Sequence, residues 1–147
     1  MARFLARLAE AAGLASRWRG DAAVLQLVCT GSRRMAELNR KFLAHEGPTD
    51  VLAFDLSAGA GVPGEPRTAG EVYVCPEVAA KAAGRYGTTP AHELLLYMAH
   101  GMLHLAGEDD HEPASRRRMR RLEKKILTEA LAGRSAEDLV QVDPPPG

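Results

Sequence analysis

The sequence predicts an α+β fold: a small mixed sheet packed on a buried central helix, surrounded by further helices. Three observations carry this reading. Short β-prone runs at 24–29, 50–56 and 71–75 are interspersed with helical patterns. The helical segment opening at Thr89-Pro90 is apolar nearly all round, which marks an enclosed element. Finally, 147 residues with 46% hydrophobic and 26% charged content suit one soluble domain with a real core. We read a single domain over 1–142 and a disordered tail at 143–147, rich in proline.

Taken in order, Phe4, Leu5, Leu8, Ala11, Ala12 and Leu14 recur with helical spacing and predict an amphipathic first helix. Val24, Leu25, Leu27, Val28 and Cys29 form the first strand. Thr30-Gly31-Ser32 turns the chain, with Ser32 a suitable N-cap for a helix to about Leu43 that shows Met35, Leu38 and Phe42 on one side. Gly47-Pro48-Thr49 breaks that helix before the strand at 50–56. Glycine and proline at 57–70 predict a long loop. The strand at 71–75 follows, and Pro76 suits the first turn of a helix to about Tyr86. Pro113 opens a last helix whose inner face is Met119, Leu122, Ile126, Leu127 and Ala130. Cys29 and Cys75 read as small buried hydrophobes of a reducing compartment.

The enclosed helix carries His100-Gly101-Met102-Leu103-His104, followed by Leu105-Ala106-Gly107-Glu108-Asp109-Asp110-His111. Histidines four apart share one helix face, so both imidazoles can reach one point. Gly107 ends the helix, and the chain turns to deliver a third histidine beside three carboxylates. Three of the five histidines fall within twelve residues. Three donors with a fourth position open are what a catalytic zinc ion requires. Gly101 stands where a zincin metalloprotease places its glutamate base, so that chemistry lacks its base. His92 is too distant to join the same centre and reads as a helix-start polar residue. His45 lies in the loop before Pro48, and Thr49 and Asp50 are explained by a turn and strand start.

With these residues placed, the chain resembles the YbeY family, bacterial rRNA maturation factors regarded as metal-dependent endoribonucleases. The similarity runs over about 25–131. It rests on Leu38-Asn39 with Pro48-Thr49-Asp50-Val51-Leu52-Ala53-Phe54, on Gly70-Glu71-Val72-Tyr73-Val74-Cys75, and on the histidine helix. The resemblance implies one zinc ion per chain in a cleft, bound by three histidines. It also implies a part in 16S rRNA 3′-end processing, ribosome quality control and translation. Two family ligands carry over to His100 and His104. For the third, strict spacing selects Asp110 and residue type selects His111. We expect His111, because an imidazole preserves the neutral three-nitrogen site. Many family members also have an arginine shortly after the Leu-Asn pair, where this chain has Leu43.

Such an ion would suit phosphodiester hydrolysis, and Glu108, Asp109 and Asp110 are candidate partners for the ligands or for proton transfer. Asp109 and Asp110 are therefore the expected catalytic assistants. Formal net charge is zero, so attraction to RNA must come from local patches. Arg116, Arg117, Arg118, Arg120, Arg121, Lys124 and Lys125 put seven cations on ten positions, opposed by Glu123. Arg33, Arg34, Arg40 and Lys41 form a second patch. We expect Arg40, Lys41, Arg117 and Arg121 to meet the substrate. Aromatics are scarce, so recognition should rest on backbone contacts and RNA shape. The expected partners are rRNA and the ribosome or a ribosomal protein, with neither membrane nor DNA called for. Without an apolar run of membrane-span length or a signal-peptide pattern, a cytoplasmic location is expected. A metal-binding ribosome-assembly factor that does not cut RNA is the alternative reading.

Overall fold

The computed structural model describes residues 1–18, 23–43, 49–59 and 62–143. The expected turn at 47–48, His45, part of the glycine-rich loop and the tail at 144–147 lie outside the described residues. The architecture is a mixed α+β fold with a small sheet and several helices. In chain order it runs α1 (Ala2–Ala12), α2 (Leu14–Arg17), β1 (Ala23–Cys29), α3 (Ser32–Leu43), β2 (Val51–Asp55), β3 (Arg67–Val74), α4 (Pro76–Tyr86), α5 (Pro90–Leu105) and α6 (Pro113–Leu131), then a 3-10 turn at Ala136–Asp138.

The sheet has the order β1-β3-β2, with β1 parallel and β2 antiparallel to the central strand. β3 begins at Arg67, inside the segment expected to be loop, because Arg67, Thr68 and, after a register shift that skips Ala69, Gly70 already pair with β1, and Gly70 also faces Asp55 of β2. Gly70 is required by packing here. A Cβ there would lie 2.8 Å from Leu105 Cδ1 and 3.1 Å from Trp18 Cη2. At Gly70 the glycine marks close approach rather than a turn.

The expected first helix is two helices. Gly13, at φ 92°, ends α1 and starts α2, while Leu14 remains buried. Ser32 is the first residue of α3 rather than its cap. The acceptor for its N–H is the Glu77 carboxylate on α4, at 3.3 Å, so a tertiary contact satisfies a donor that the sequence suggested was capped locally. Cys75 is buried with Met35, Leu38 and Leu52. Cys29 is exposed, contrary to expectation, since it ends an edge strand of the sheet.

α5 packs against β2, β3, α4 and α6, and most of its residues are buried. Thr89 caps its N-terminus by accepting the His92 N–H at 3.2 Å, and Pro90 occupies the first turn. Gly101 is the point of closest approach to the sheet: a Cβ there would stand 2.5 Å from Val72 Cγ1. α6 lies along α5, starting at a capping box between Glu112 and Ser115 and burying Met119, Glu123, Ile126, Leu127 and Ala130. Arg7 of α1 donates two hydrogen bonds, at 2.9 and 2.8 Å, to the Ala130 carbonyl near the end of α6.

Candidate metal centre

Helical periodicity places His100 and His104 one turn apart, and their Nε2 atoms lie 2.9 Å from each other. The helix then ends as the sequence suggested. Gly107 takes φ 104°, its N–H donates to the His104 carbonyl at 3.0 Å, and the Glu108 N–H donates to the Leu103 carbonyl at 3.0 Å. That pair of bonds is a Schellman closure, and it turns the chain back across the histidine face.

The third group on that face is Asp110. Its Oδ2 lies 3.5 Å from His100 Nε2 and its Oδ1 3.6 Å from His104 Nε2. One ligand atom from each of the three residues falls within 4.8 Å of the others. His111, expected as the third ligand, is exposed and outside this group. The backbone explains the difference. Asp109 Oδ1 accepts the His111 N–H at 3.3 Å, and Arg116 holds the His111 carbonyl at 2.9 Å, so residue 111 belongs to the lead-in of α6. The geometry brings Asp110, the residue that strict spacing selects, to the histidine pair.

The neighbouring acids divide their work. Glu108 accepts two hydrogen bonds from Arg118, both at 3.1 Å. Asp109 hydrogen-bonds Ser115 and the His111 N–H, which hold its carboxyl below the usual carboxylate range. The acid against a ligand's far side is Glu123, which hydrogen-bonds His100 Nδ1 from α6. His100 thus has a second partner that fixes its ring, the arrangement metal-ligating histidines use. Glu123 was visible in the sequence only as the acid in a basic run. Its inward register, four residues after Met119 and three before Ile126, was the available signal.

α5 as a whole is enclosed, but the three groups stand at its open edge, with side chains 21%, 30% and 36% exposed for His100, His104 and Asp110. Burial pulls the His100 imidazole down, yet the Glu123 hydrogen bond and charge, with Asp50 and Asp110, outweigh it and hold it above its ordinary value. His104 moves the other way: burial and the charge of His100 push it down, against a smaller opposing effect of Asp110. Asp50 enters the site electrostatically from the start of β2. Its Oδ1 accepts the Val51 N–H at 2.8 Å, consistent with a strand-start role, while its charge also acts on His100 and on Tyr97. Burial, then Asp50, pushes the Tyr97 hydroxyl far up.

The expected substrate cations are all exposed. Arg40 and Lys41 are exposed at the end of α3, with Lys41 Nζ 5.4 Å from the Phe42 ring centroid. Arg117 and Arg121 are exposed on α6. His92 lies at the start of α5, outside the group.

A family model described as "Endoribonuclease YbeY" matches residues 1–131. The chain belongs to the YbeY family. It is 42% identical over 110 residues to the endoribonuclease YbeY of Salinispora tropica, covering 69% of this chain and 70% of that one. It is 43% identical over 104 residues to the YbeY of Beutenbergia cavernae, covering 68% and 69% of the two chains. The solution structure of TM1509 from Thermotoga maritima is similar with a TM-score of 0.57 and 29% identity, over 93% of this chain and 89% of that one. Within this YbeY chain, the matched region contains every residue of the His-His-Asp group and its Glu123 support.

Proposed function

We propose that this chain is a zinc-dependent endoribonuclease that cuts single-stranded segments of RNA, acting in 16S rRNA 3′-end maturation and ribosome quality control in the cytoplasm. The observation that carries the reading is the convergence of His100, His104 and Asp110 at the open edge of α5 in a chain of the YbeY family.

The donor set fits a divalent ion. Donors about 2.0–2.1 Å from a tetrahedral zinc stand roughly 3.3 Å apart. The separations of 2.9, 3.5 and 3.6 Å bracket that value. A bound zinc would polarise a phosphoryl oxygen and lower the pKa of a bound water toward neutrality. The chain's own residues do the rest. Glu123 holds the His100 ring so that Nε2 faces the open edge. Asp110 faces both histidines, one oxygen toward each. Asp110 belongs to the donor set, and Asp109 is occupied by the turn. The exposed cations Arg40, Lys41, Arg117 and Arg121 offer phosphate contacts, with rRNA and the ribosome or a ribosomal protein as partners. Among the described residues no helix is long and apolar enough to cross a membrane.

The test is cleavage of an RNA spanning the 16S 3′ end by nuclease-free protein. Cleavage should stop with chelator, return with zinc, and be absent in His104→Ala. Intact RNA with zinc-loaded protein would instead support a non-cleaving assembly factor. Leu43, exposed and apolar where the family resemblance leads us to expect an arginine, favours that second reading.

A further inference from the structure

We infer that Asp110 makes this centre a mixed nitrogen–oxygen site that accepts manganese(II) or iron(II) beside zinc, with a narrower preference for zinc than three histidines would give. The inference rests on the metal-site part of the proposed function and goes beyond it in naming the ions.

Three features of the chain carry it. First, the donors differ in kind. Two are imidazole nitrogens and the third is a carboxylate whose two oxygens each face one histidine, at 3.5 and 3.6 Å. Imidazole suits zinc, copper, iron and nickel, whereas carboxylate and water suit manganese and magnesium; two histidines with one carboxylate on a single face is the set that holds non-haem iron(II). Second, all three donors come from α5 and the turn after it, so they occupy one side of the centre. The other side opens toward solvent past His104 and Asp110, which are 30% and 36% exposed. That leaves room for waters to complete six positions, which zinc does not need and manganese prefers. Third, the charge differs. A carboxylate ligand lowers the charge of the occupied site by one relative to neutral imidazole. With the Glu123 carboxylate behind His100 and the charge of Asp50 acting on it, the surroundings favour small dications generally rather than zinc specifically.

His111 does not restore a third nitrogen. It is exposed and outside the group, with its backbone N–H tied to Asp109 and its carbonyl to Arg116.

The experiment is equilibrium dialysis of metal-free full-length protein against zinc and manganese(II), singly and mixed, read by elemental analysis, for the parent, Asp110→His, Asp110→Ala and His111→Ala. Circular dichroism checks that each variant is folded. We expect the zinc-over-manganese affinity ratio to rise about tenfold or more in Asp110→His, and both affinities to fall about tenfold or more in Asp110→Ala. His111→Ala should match the parent. A ratio unchanged in folded Asp110→His overturns the inference, as does loss of metal in His111→Ala with retention in Asp110→Ala. Because the readout contains no RNA, a parent that binds both ions but leaves RNA intact fails the proposed nuclease activity and leaves this inference standing. A parent that takes up neither ion overturns both.

Discussion

Gly101 and His100 are neighbours on α5, and they face surroundings with opposite demands. On the side of Gly101 the helix meets β3 without room for a methyl group, since Val72 Cγ1 would stand 2.5 Å from a Cβ. On the side of His100 the helix meets polar groups from three other places in the chain: Glu123 from α6, Asp110 from the turn, and the charge of Asp50 just before β2. The first side fixes where the helix lies. The second side uses that fixed position to hold an arrangement of charges. A metal centre of this kind needs both, because donors that drift by an ångström no longer converge.

The comparison breaks most visibly at Gly101. Gly101→Ala should destabilise the domain by about 1–3 kcal/mol, the range for overpacking a core, measured by urea denaturation. Combining it with Val72→Ala should recover part of the loss, since the clash is with that side chain and the two sites are coupled. Additive losses would mean that the helix yields elsewhere and that Gly101 is not the point that fixes it.

Substitution on the other side should cost binding rather than folding. Metal affinity is expected to fall in the order parent, Glu123→Gln, Glu123→Ala, with the Ala variant about 10–100-fold weaker, read by competition with a chromophoric chelator. Gln keeps an acceptor for His100 Nδ1 but loses the charge, so it should lie between the other two. Equal affinity in all three would reduce Glu123 to a buried neighbour.

The two sides also differ in how far the sequence revealed them. The helix and its histidine pair follow from a 3.6-residue period, which fixes side-chain direction over many residues at once. The small sheet and the order of elements followed from apolar runs and prolines in the same way. The turn did not. Beyond Gly107 each residue sets its own direction, and Asp109, Asp110 and His111 are consecutive, so which of them faces the histidines depends on hydrogen bonds to Ser115 and Arg116 formed only in the fold. Residue type favoured His111 because an imidazole is the better zinc donor, but ligand chemistry cannot decide backbone direction. Glu123 was concealed differently, as one acid among seven cations, with its inward register outweighed by the impression of a wet basic face. Gly101 was read for the glutamate it excludes, while its reason is a contact with a strand nearly thirty residues away in sequence, which no local pattern records.

The turn offers a smaller test of the same contrast. Gly107 stands at φ 104° with open space around it, its nearest neighbour being Arg17 Nη1 at 3.8 Å from a built Cβ. Gly107→Ala should therefore cost only the conformational penalty, about 1–2 kcal/mol, where Gly101→Ala pays for a collision. It should also weaken metal binding, since the Schellman closure is what returns Asp110 to the histidines. A stability loss without any change in metal affinity would show that the turn holds Asp110 by its contacts with α6 alone.

The mildest effect is expected away from the centre, where α4 supports α3. Ser32 gives both its N–H and its hydroxyl to the Glu77 carboxylate, and these bonds hold the Glu77 pKa below its ordinary 4.5. A depressed carboxylate stabilises the folded state above the unfolded value and ceases to do so as pH falls through the folded one. Thermal unfolding of the metal-free protein should thus lose a small part of its stability below pH 4.5 that Glu77→Gln no longer shows. At neutral pH the same variant should already be slightly less stable, because the charge-assisted bonds at the start of α3 are gone. If its melting temperature follows the parent's at every pH, Glu77 contributes nothing as an ion, and α3 is held by its apolar face of Met35 and Leu38 alone.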